Sequence, residues 1–78
     1  MYKIITTFDK NGDYNHVYVV DSEDDNYYYF IDGFLGDELR LNKEQEILQY
    51  KGNDNSWITF DDWKGKEKPT FKVEIKGS

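Results

Sequence analysis

Turn-forming residues interrupt this chain about every ten residues, which leaves room for short strands and little room for helices. Asn11-Gly12 is the dipeptide most typical of a tight β-hairpin, because both residues tolerate a positive φ. Further along, Phe71, Val73 and Ile75 alternate with charged residues, as in a strand with one buried and one solvated face. The pattern therefore predicts a mainly β protein of short antiparallel strands.

The strand signals fall at residues 2–8, 14–20, 27–32, 38–41, 57–60 and 71–76, and residues 21–26 are predicted as a polar loop. Residues 42–50 are open to two interpretations. Asn42 and Gln45 resemble a helix-capping pair, whereas a strand over residues 46–50 makes residues 52–55 the loop that follows it. We favour the strand.

Five to seven short strands and at most one short helix fit a single β-rich domain over residues 1–78. The predicted architecture is a small antiparallel β-barrel or sandwich of the SH3-like or OB-like kind. Residues 36–41, followed by Trp57, resemble the strand order of SH3-like barrels. That resemblance covers a minor part of the chain and includes no diagnostic ligand-binding motif, so it assigns no family.

The first hairpin has two faces, and the sequence predicts which one is buried. A two-residue loop at Asn11-Gly12 pairs Phe8 with Asn15, Thr6 with Val17 and Ile4 with Val19. The predicted core face carries Tyr2, Ile4, Thr6, Phe8, Val17 and Val19. The opposite face, predicted as mixed and partly exposed, carries Lys3, Ile5, Thr7, Tyr14, His16, Tyr18 and Val20.

Catalytic residues are scarce in this sequence. His16 is the only histidine, there is no cysteine, and neither Ser22 nor Ser56 lies in a Gly-x-Ser-x-Gly elbow. No glycine-rich phosphate loop with a following Lys-Ser or Lys-Thr is present. The sequence therefore predicts that the chain is not an enzyme and that it needs no cofactor.

One segment resembles a metal site. Residues 9–13 begin like the calcium-binding loop of an EF-hand, with oxygen ligands at alternate positions. Tyr14 stands where that loop needs glycine, and Val20 stands where it needs a bidentate carboxylate. A hairpin turn is predicted here, and no metal site.

The absence of cysteine and of any apolar run near the ~18 residues that cross a bilayer favours a cytoplasmic protein without a membrane partner. Ala is absent while Lys, Asn, Asp, Ile and Tyr are abundant. Such usage is what AT-rich coding produces, as in many Gram-positive bacteria and their phages.

Charge is distributed unevenly along the sequence. Residues 1–40 hold nine acids and three bases, whereas residues 41–78 hold seven of each, so the first half carries the whole net charge of −6. This balance disfavours direct binding to nucleic acid, which needs a basic stripe. The predicted partner-binding residues are Asp21, Glu23, Asp24, Asp25, Tyr27, Tyr28, Tyr29, Asp32, Asp37 and Glu38.

Tyrosines beside carboxylates suit a protein-binding surface, because the rings supply contact area and the acids steer a basic partner. The sequence therefore predicts a small acidic inhibitor, of the kind that a phage or mobile element encodes, that occludes a basic nucleic-acid-binding protein by mimicking nucleic acid. The alternative is a structural or assembly module that self-associates through a sheet edge, for example as a homodimer.

Overall fold

A computed structural model describes residues 1–77 and confirms the mainly β architecture. The strands are β1 (Tyr2–Phe8), β2 (Tyr14–Val19), β3 (Ser22–Glu23), β4 (Tyr27–Ile31), β5 (Glu38–Asn42), β6 (Leu48–Lys51), β7 (Trp57–Thr59) and β8 (Thr70–Lys76). A single 3₁₀ turn, Asp61–Trp63, lies between β7 and β8. The count of eight exceeds the predicted five to seven, because the two-residue β3 forms inside the predicted polar loop.

The ambiguous segment forms strand β6, as favoured from the sequence. The Asn42 side chain accepts hydrogen bonds from the N–H groups of Glu44 and Gln45, at 2.9 and 2.7 Å. The residues that resembled a helix cap therefore close a turn between β5 and β6, in which Glu46 adopts a positive φ of 59°.

Two antiparallel sheets share the chain, with strand orders β2-β1-β8 and β3-β4-β5-β6-β7. The chain changes sheet at Val20 and Asp21. The Val20 N–H donates to the Lys3 carbonyl at 2.9 Å, whereas the Asp21 N–H donates to the Tyr29 carbonyl at 2.8 Å. Because Ser22 also pairs with Tyr29, two residues oppose one, which is the arrangement of a β-bulge. Strands β2 and β3 thus form one bent strand that joins the sheets.

The first hairpin confirms most of the predicted pairing. Ile4 pairs with Val19 and Thr6 pairs with Val17, but Phe8 pairs with Tyr14 instead of Asn15. The predicted two-residue loop was wrong. The Asp9 N–H bonds to the Asp13 carbonyl, which closes a longer loop, and the register of the two strands shifts between Thr7 and Phe8.

The predicted core face of this hairpin was wrong. Ile5 is fully buried, whereas Val17 and Val19 are 46% and 53% exposed. The reason lies in β8, which pairs Val73 with Ile5 and so sets its apolar side on the face that the sequence had predicted as mixed. Apolar residues occur on both faces of β1 and β2, and tertiary pairing decides between them.

The core lies between the two sheets. Its buried apolar residues are Ile5, Phe30, Leu39, Leu41, Leu48 and Trp63. Within residues 1–77, no ladder joins β7 to β8, and Trp63 lies in the connection between these two strands. No helix in the described part of the chain is long and apolar enough to span a bilayer.

Candidate protein-binding face

Successive residues of a strand point to opposite faces, and this alternation divides the predicted tyrosines. Tyr28 lies on the core side of β4 and packs, partly buried, against the core. The ammonium groups of Lys43 and Lys3 lie 4.6 and 5.7 Å from its ring centre. Tyr27 and Tyr29 lie on the outer face of the five-stranded sheet, with their ring centres 5.9 Å apart.

Arg40 lies at the centre of this outer face. Its guanidinium carbon is 4.1 Å from the ring centre of Tyr27 and 4.5 Å from that of Trp57, so the group is sandwiched between two aromatic rings. Tyr29 completes the cluster, with its ring centre 6.3 Å from Trp57. We refer to Tyr27, Tyr29, Arg40 and Trp57 as the aromatic–arginine platform.

Hydrogen bonds fix the orientation of the platform. The Arg40 Nε–H donates to the Gln49 side chain at 2.7 Å, and the Gln49 amide donates to Thr59 at 3.1 Å. The Tyr29 hydroxyl donates to the Asp24 carboxylate at 2.8 Å. Arg40 and Tyr29 are therefore held in place by hydrogen bonds before any partner arrives, and Tyr27 and Trp57 pack against the Arg40 guanidinium.

A groove of about 430 Å³ runs beside the platform. Tyr29, Trp57 and Ile31 are among its apolar lining residues. Glu38 and Lys51 also line it, with 3.4 Å between the Lys51 Nζ and a Glu38 carboxylate oxygen. Such a mixture of rings and a few polar groups is typical of contact surfaces.

Sequence reasoning missed Arg40, Gln49 and Trp57 as members of this face. The available signal was the alternation in β5, where Leu39 and Leu41 point inward and leave Arg40 outward. Arg40 is also the only arginine in the chain, but its rarity does not indicate which side chains surround it. Its partners lie on other strands, so the cluster depends on the order of the sheet.

Three of the predicted acids serve the fold. Glu23 forms ion pairs with Lys3 and with Lys43, the latter at 2.7 Å. Hydrogen bonds from these two lysines hold the pKa of Glu23 below its ordinary value, and the bond to Glu23 raises the pKa of Lys43. The negative charge of Glu23 is thereby balanced by two lysines that are distant from it in sequence.

Asp24 and Asp32 close the two turns that flank β4. Asp24 Oδ1 accepts the N–H groups of Asn26 and Tyr27 at 2.8 and 2.7 Å. Asp32 Oδ1 accepts those of Phe34 and Leu35 at 2.8 and 3.0 Å. The backbone N–H of Asn26 and the Tyr29 hydroxyl lower the pKa of Asp24, and the N–H groups of Leu35 and Phe34 lower that of Asp32.

The other predicted acids project from the ends of the platform strands. Asp25 lies in the turn before β4, and Asp37 and Glu38 lie at the start of β5, at the opposite end of the same strand pair. Asp21 lies at the bulge and lines the groove. The ten predicted residues are therefore not one continuous patch, since Tyr28 and Glu23 lie apart from the platform face.

The segment that resembled a calcium loop is a hairpin turn, as predicted. Asp9 Oδ1 accepts the N–H groups of Asn11 and Asp13 at 2.9 and 3.0 Å, and Gly12 has a φ of 86°. Among residues 1–77, no three side chains of the metal-binding types lie close enough together to hold an ion.

The turn carboxylates predict a specific acid sensitivity. The pKa of Asp24 in the folded chain lies below its ordinary value of 3.8, so its contribution to stability is present above that value and is lost as pH falls through the folded-state pKa. We expect Asp24→Asn to flatten the fall in the free energy of unfolding below about pH 4. Urea unfolding followed by circular dichroism from about pH 2.5 to about pH 7 measures this.

Asp25→Asn is the matched control, because the neighbouring Asp25 carboxylate makes no hydrogen bond or ion pair within the described residues. The free energy of unfolding of Asp25→Asn should fall at low pH as that of the parent chain does. Equal flattening by both substitutions would show that the turn hydrogen bonds are not the cause.

Comparisons with protein-family models, with curated proteins and with solved structures give no match for this chain.

Proposed function

We propose that this chain is a small cytoplasmic protein-binding protein that occludes a basic partner with the aromatic–arginine platform. The observation that carries the proposal is the stack of Arg40 between Tyr27 and Trp57 on an open sheet face. Tyr, Trp and Arg are the residues that dominate binding energy at protein interfaces. Here they are fixed in advance, so less conformational entropy is lost when a partner binds.

The stacking of Arg40 favours a protein ligand over a nucleic acid. Base binding needs free ring faces on which bases can stack, and the guanidinium covers one face of Tyr27 and one face of Trp57. The net charge of −6 also repels a phosphate backbone.

A basic partner is supported by the acids around the platform. Asp25 lies at one end of the β4–β5 pair, and Asp37 lies at the other, beside Glu38, whose carboxylate is paired with Lys51. Carboxylates in this position accelerate encounter with a positively charged surface, and this attraction becomes weaker as the salt concentration rises. In the sharper form of the proposal, they stand where a nucleic-acid-binding enzyme receives phosphates, and the chain is a phage or mobile-element inhibitor.

A selection experiment tests this proposal before any partner is identified. The protein is immobilised and used to select binders from a random peptide library displayed on phage. We expect the selected peptides to be rich in Lys and Arg and to lose affinity as salt increases. Trp57→Ala should weaken their binding by about 30-fold or more, which corresponds to a hot-spot loss of about 2 kcal/mol.

Ile75→Ala is the matched control, since Ile75 is an exposed apolar residue on the other sheet. It should leave peptide binding unchanged. Selected peptides that are neutral or acidic, or that bind equally well to Trp57→Ala, would contradict the proposal. Light scattering coupled to size-exclusion chromatography distinguishes the self-assembling module, which would give a dimer or larger species.

A further inference from the structure

Strand β2 has one edge whose main-chain groups lack a partner. Antiparallel ladders alternate between residues that bond to the neighbouring strand and residues whose N–H and C=O point away from it. The Val20 N–H bonds to Lys3 on β1, which places the main-chain groups of Val17 and Val19 on the side away from β1. Within residues 1–77, neither of these two residues has a backbone hydrogen-bond partner on that side.

The edge opens into a groove because β2 and β4 diverge. The Asp21 N–H makes the last bond between the bent strand and β4, and beyond it the two strands separate. The resulting groove has a volume of about 440 Å³. Val17, Val19 and Tyr18 line one wall, and Ile31 and Phe34 line the other.

Exposed apolar side chains surround this groove. Val17, Val19 and Ile31 are about half exposed, and Phe34 is 93% exposed. The turn that carries Phe34 is held by the Asp32 carboxylate, so the ring is presented to solvent by a fixed backbone. Apolar groups gathered beside an unpaired strand edge are typical of a binding site for an extended segment.

The charges of the groove indicate the kind of segment. Its carboxylates are Asp21 and Asp32, and its one basic group is His16, which stacks on Tyr18 with 5.7 Å between ring centres. Asp32 and Tyr18 both line this groove, and burial, followed by the charge of Asp32, raises the pKa of the Tyr18 phenol. A residue added opposite Tyr18 would therefore meet a negative charge.

We propose that the open edge of β2 binds an extended segment of a basic partner protein as an added strand. Residues of the segment opposite Val17 and Val19 are apolar and exchange main-chain hydrogen bonds with them. The residue between them is a lysine or arginine directed at Asp32. A second copy of this chain fits less well, because each copy carries a net charge of −6. This edge is distinct from the aromatic–arginine platform, which lies on the outer face of the other sheet.

An acetylated and amidated Lys-Val-Lys-Val-Lys peptide, titrated into ¹⁵N-labelled protein, tests the proposal. We expect amide shifts centred on Val17 and Val19 and slower hydrogen exchange at these two amides. Val19→Pro removes an outward N–H while leaving the bonds to β1 intact, so it should weaken binding by about tenfold or more. A Glu-Val-Glu-Val-Glu peptide should bind at least about tenfold more weakly than the lysine peptide.

Two controls keep the result interpretable. Val17→Lys is the second test if Val19→Pro does not fold. It retains the N–H but places a positive charge at the edge, so it should also weaken binding of the lysine peptide. Trp57→Ala alters the platform and should leave the peptide-induced shifts at Val17 and Val19 unchanged. The proposal is overturned if Val17 and Val19 show no shifts, if the shifts at neighbouring amides of the edge are the same in Val19→Pro as in the parent, or if Val17 and Val19 are already protected in a dimer.

Discussion

Trp63→Ala should lower the free energy of unfolding by about 3–5 kcal/mol, the usual cost of removing a large buried ring. Trp63 is 5% exposed and belongs to the core cluster. A domain of this size has a total stability of about 5–15 kcal/mol. The substitution therefore removes a large fraction of it, and urea unfolding followed by circular dichroism measures the loss.

The position of Trp63 makes the cavity hard to close. The residue lies in the 3₁₀ turn between β7 and β8, the two strands that no ladder connects within the described chain. Its N–H bonds to the Phe60 carbonyl at 3.0 Å, which anchors the turn to the end of β7. Strands β7 and β8 cannot move towards each other here without breaking the hydrogen bonds to the strands that they pair with. The space left by the indole should therefore persist.

Trp57→Ala is the matched control, because it removes the same side chain from the outer face, where it is only partly buried. It should cost about 1 kcal/mol through lost contact with Arg40. Trp63→Phe provides an intermediate variant that retains an aromatic ring if the alanine variant does not fold. Equal losses for the two tryptophans would show that Trp63 does not seal the core.

The strands were predictable because local pattern determines them. The Asn11-Gly12 turn signal and the alternation of Phe71 and Val73 are short-range signals, and the hairpin and the last strand both formed, although the hairpin loop is longer than predicted. The buried face of β1 was not predictable in the same way. Ile4 and Ile5 are equally apolar, and only the pairing of Val73 with Ile5 decides which of them enters the core.

The candidate site also combines features that the sequence predicted with features that only the folded chain shows. The sequence located the tyrosines of β4, but it could not indicate that Asp24 and Asp32 close turns or that Glu23 is paired with Lys3 and Lys43. Charge segregation along a chain is a one-dimensional property, and folding brings bases from distant parts of the chain to the acids. The proposed electrostatic attraction of a basic partner therefore depends on the remaining acids, such as Asp25 and Asp37.

Substitution of Arg40 should have the second large effect on stability and on peptide binding. Arg40→Ala removes a guanidinium stacked on Tyr27 and Trp57 and bonded to Gln49. We expect a loss of about 1–3 kcal/mol in the free energy of unfolding, from two cation–π contacts and one charged hydrogen bond. Peptides selected on the platform should bind about tenfold or more weakly, because the two rings lose their fixed spacing.

Arg40→Lys separates stacking from charge. Lysine keeps the positive charge but lacks the planar group that can lie between two rings, so it should resemble alanine in peptide affinity and in the fluorescence of Trp57. Lys51→Ala is the matched control, since that ammonium is farther from the Trp57 ring centre, at 5.8 Å, and its loss should leave affinity close to the parent value. Recovery of binding by Arg40→Lys would mean that charge alone matters here. The platform would then derive its affinity from electrostatics, and the fixed spacing of Tyr27 and Trp57 would have no part in recognition.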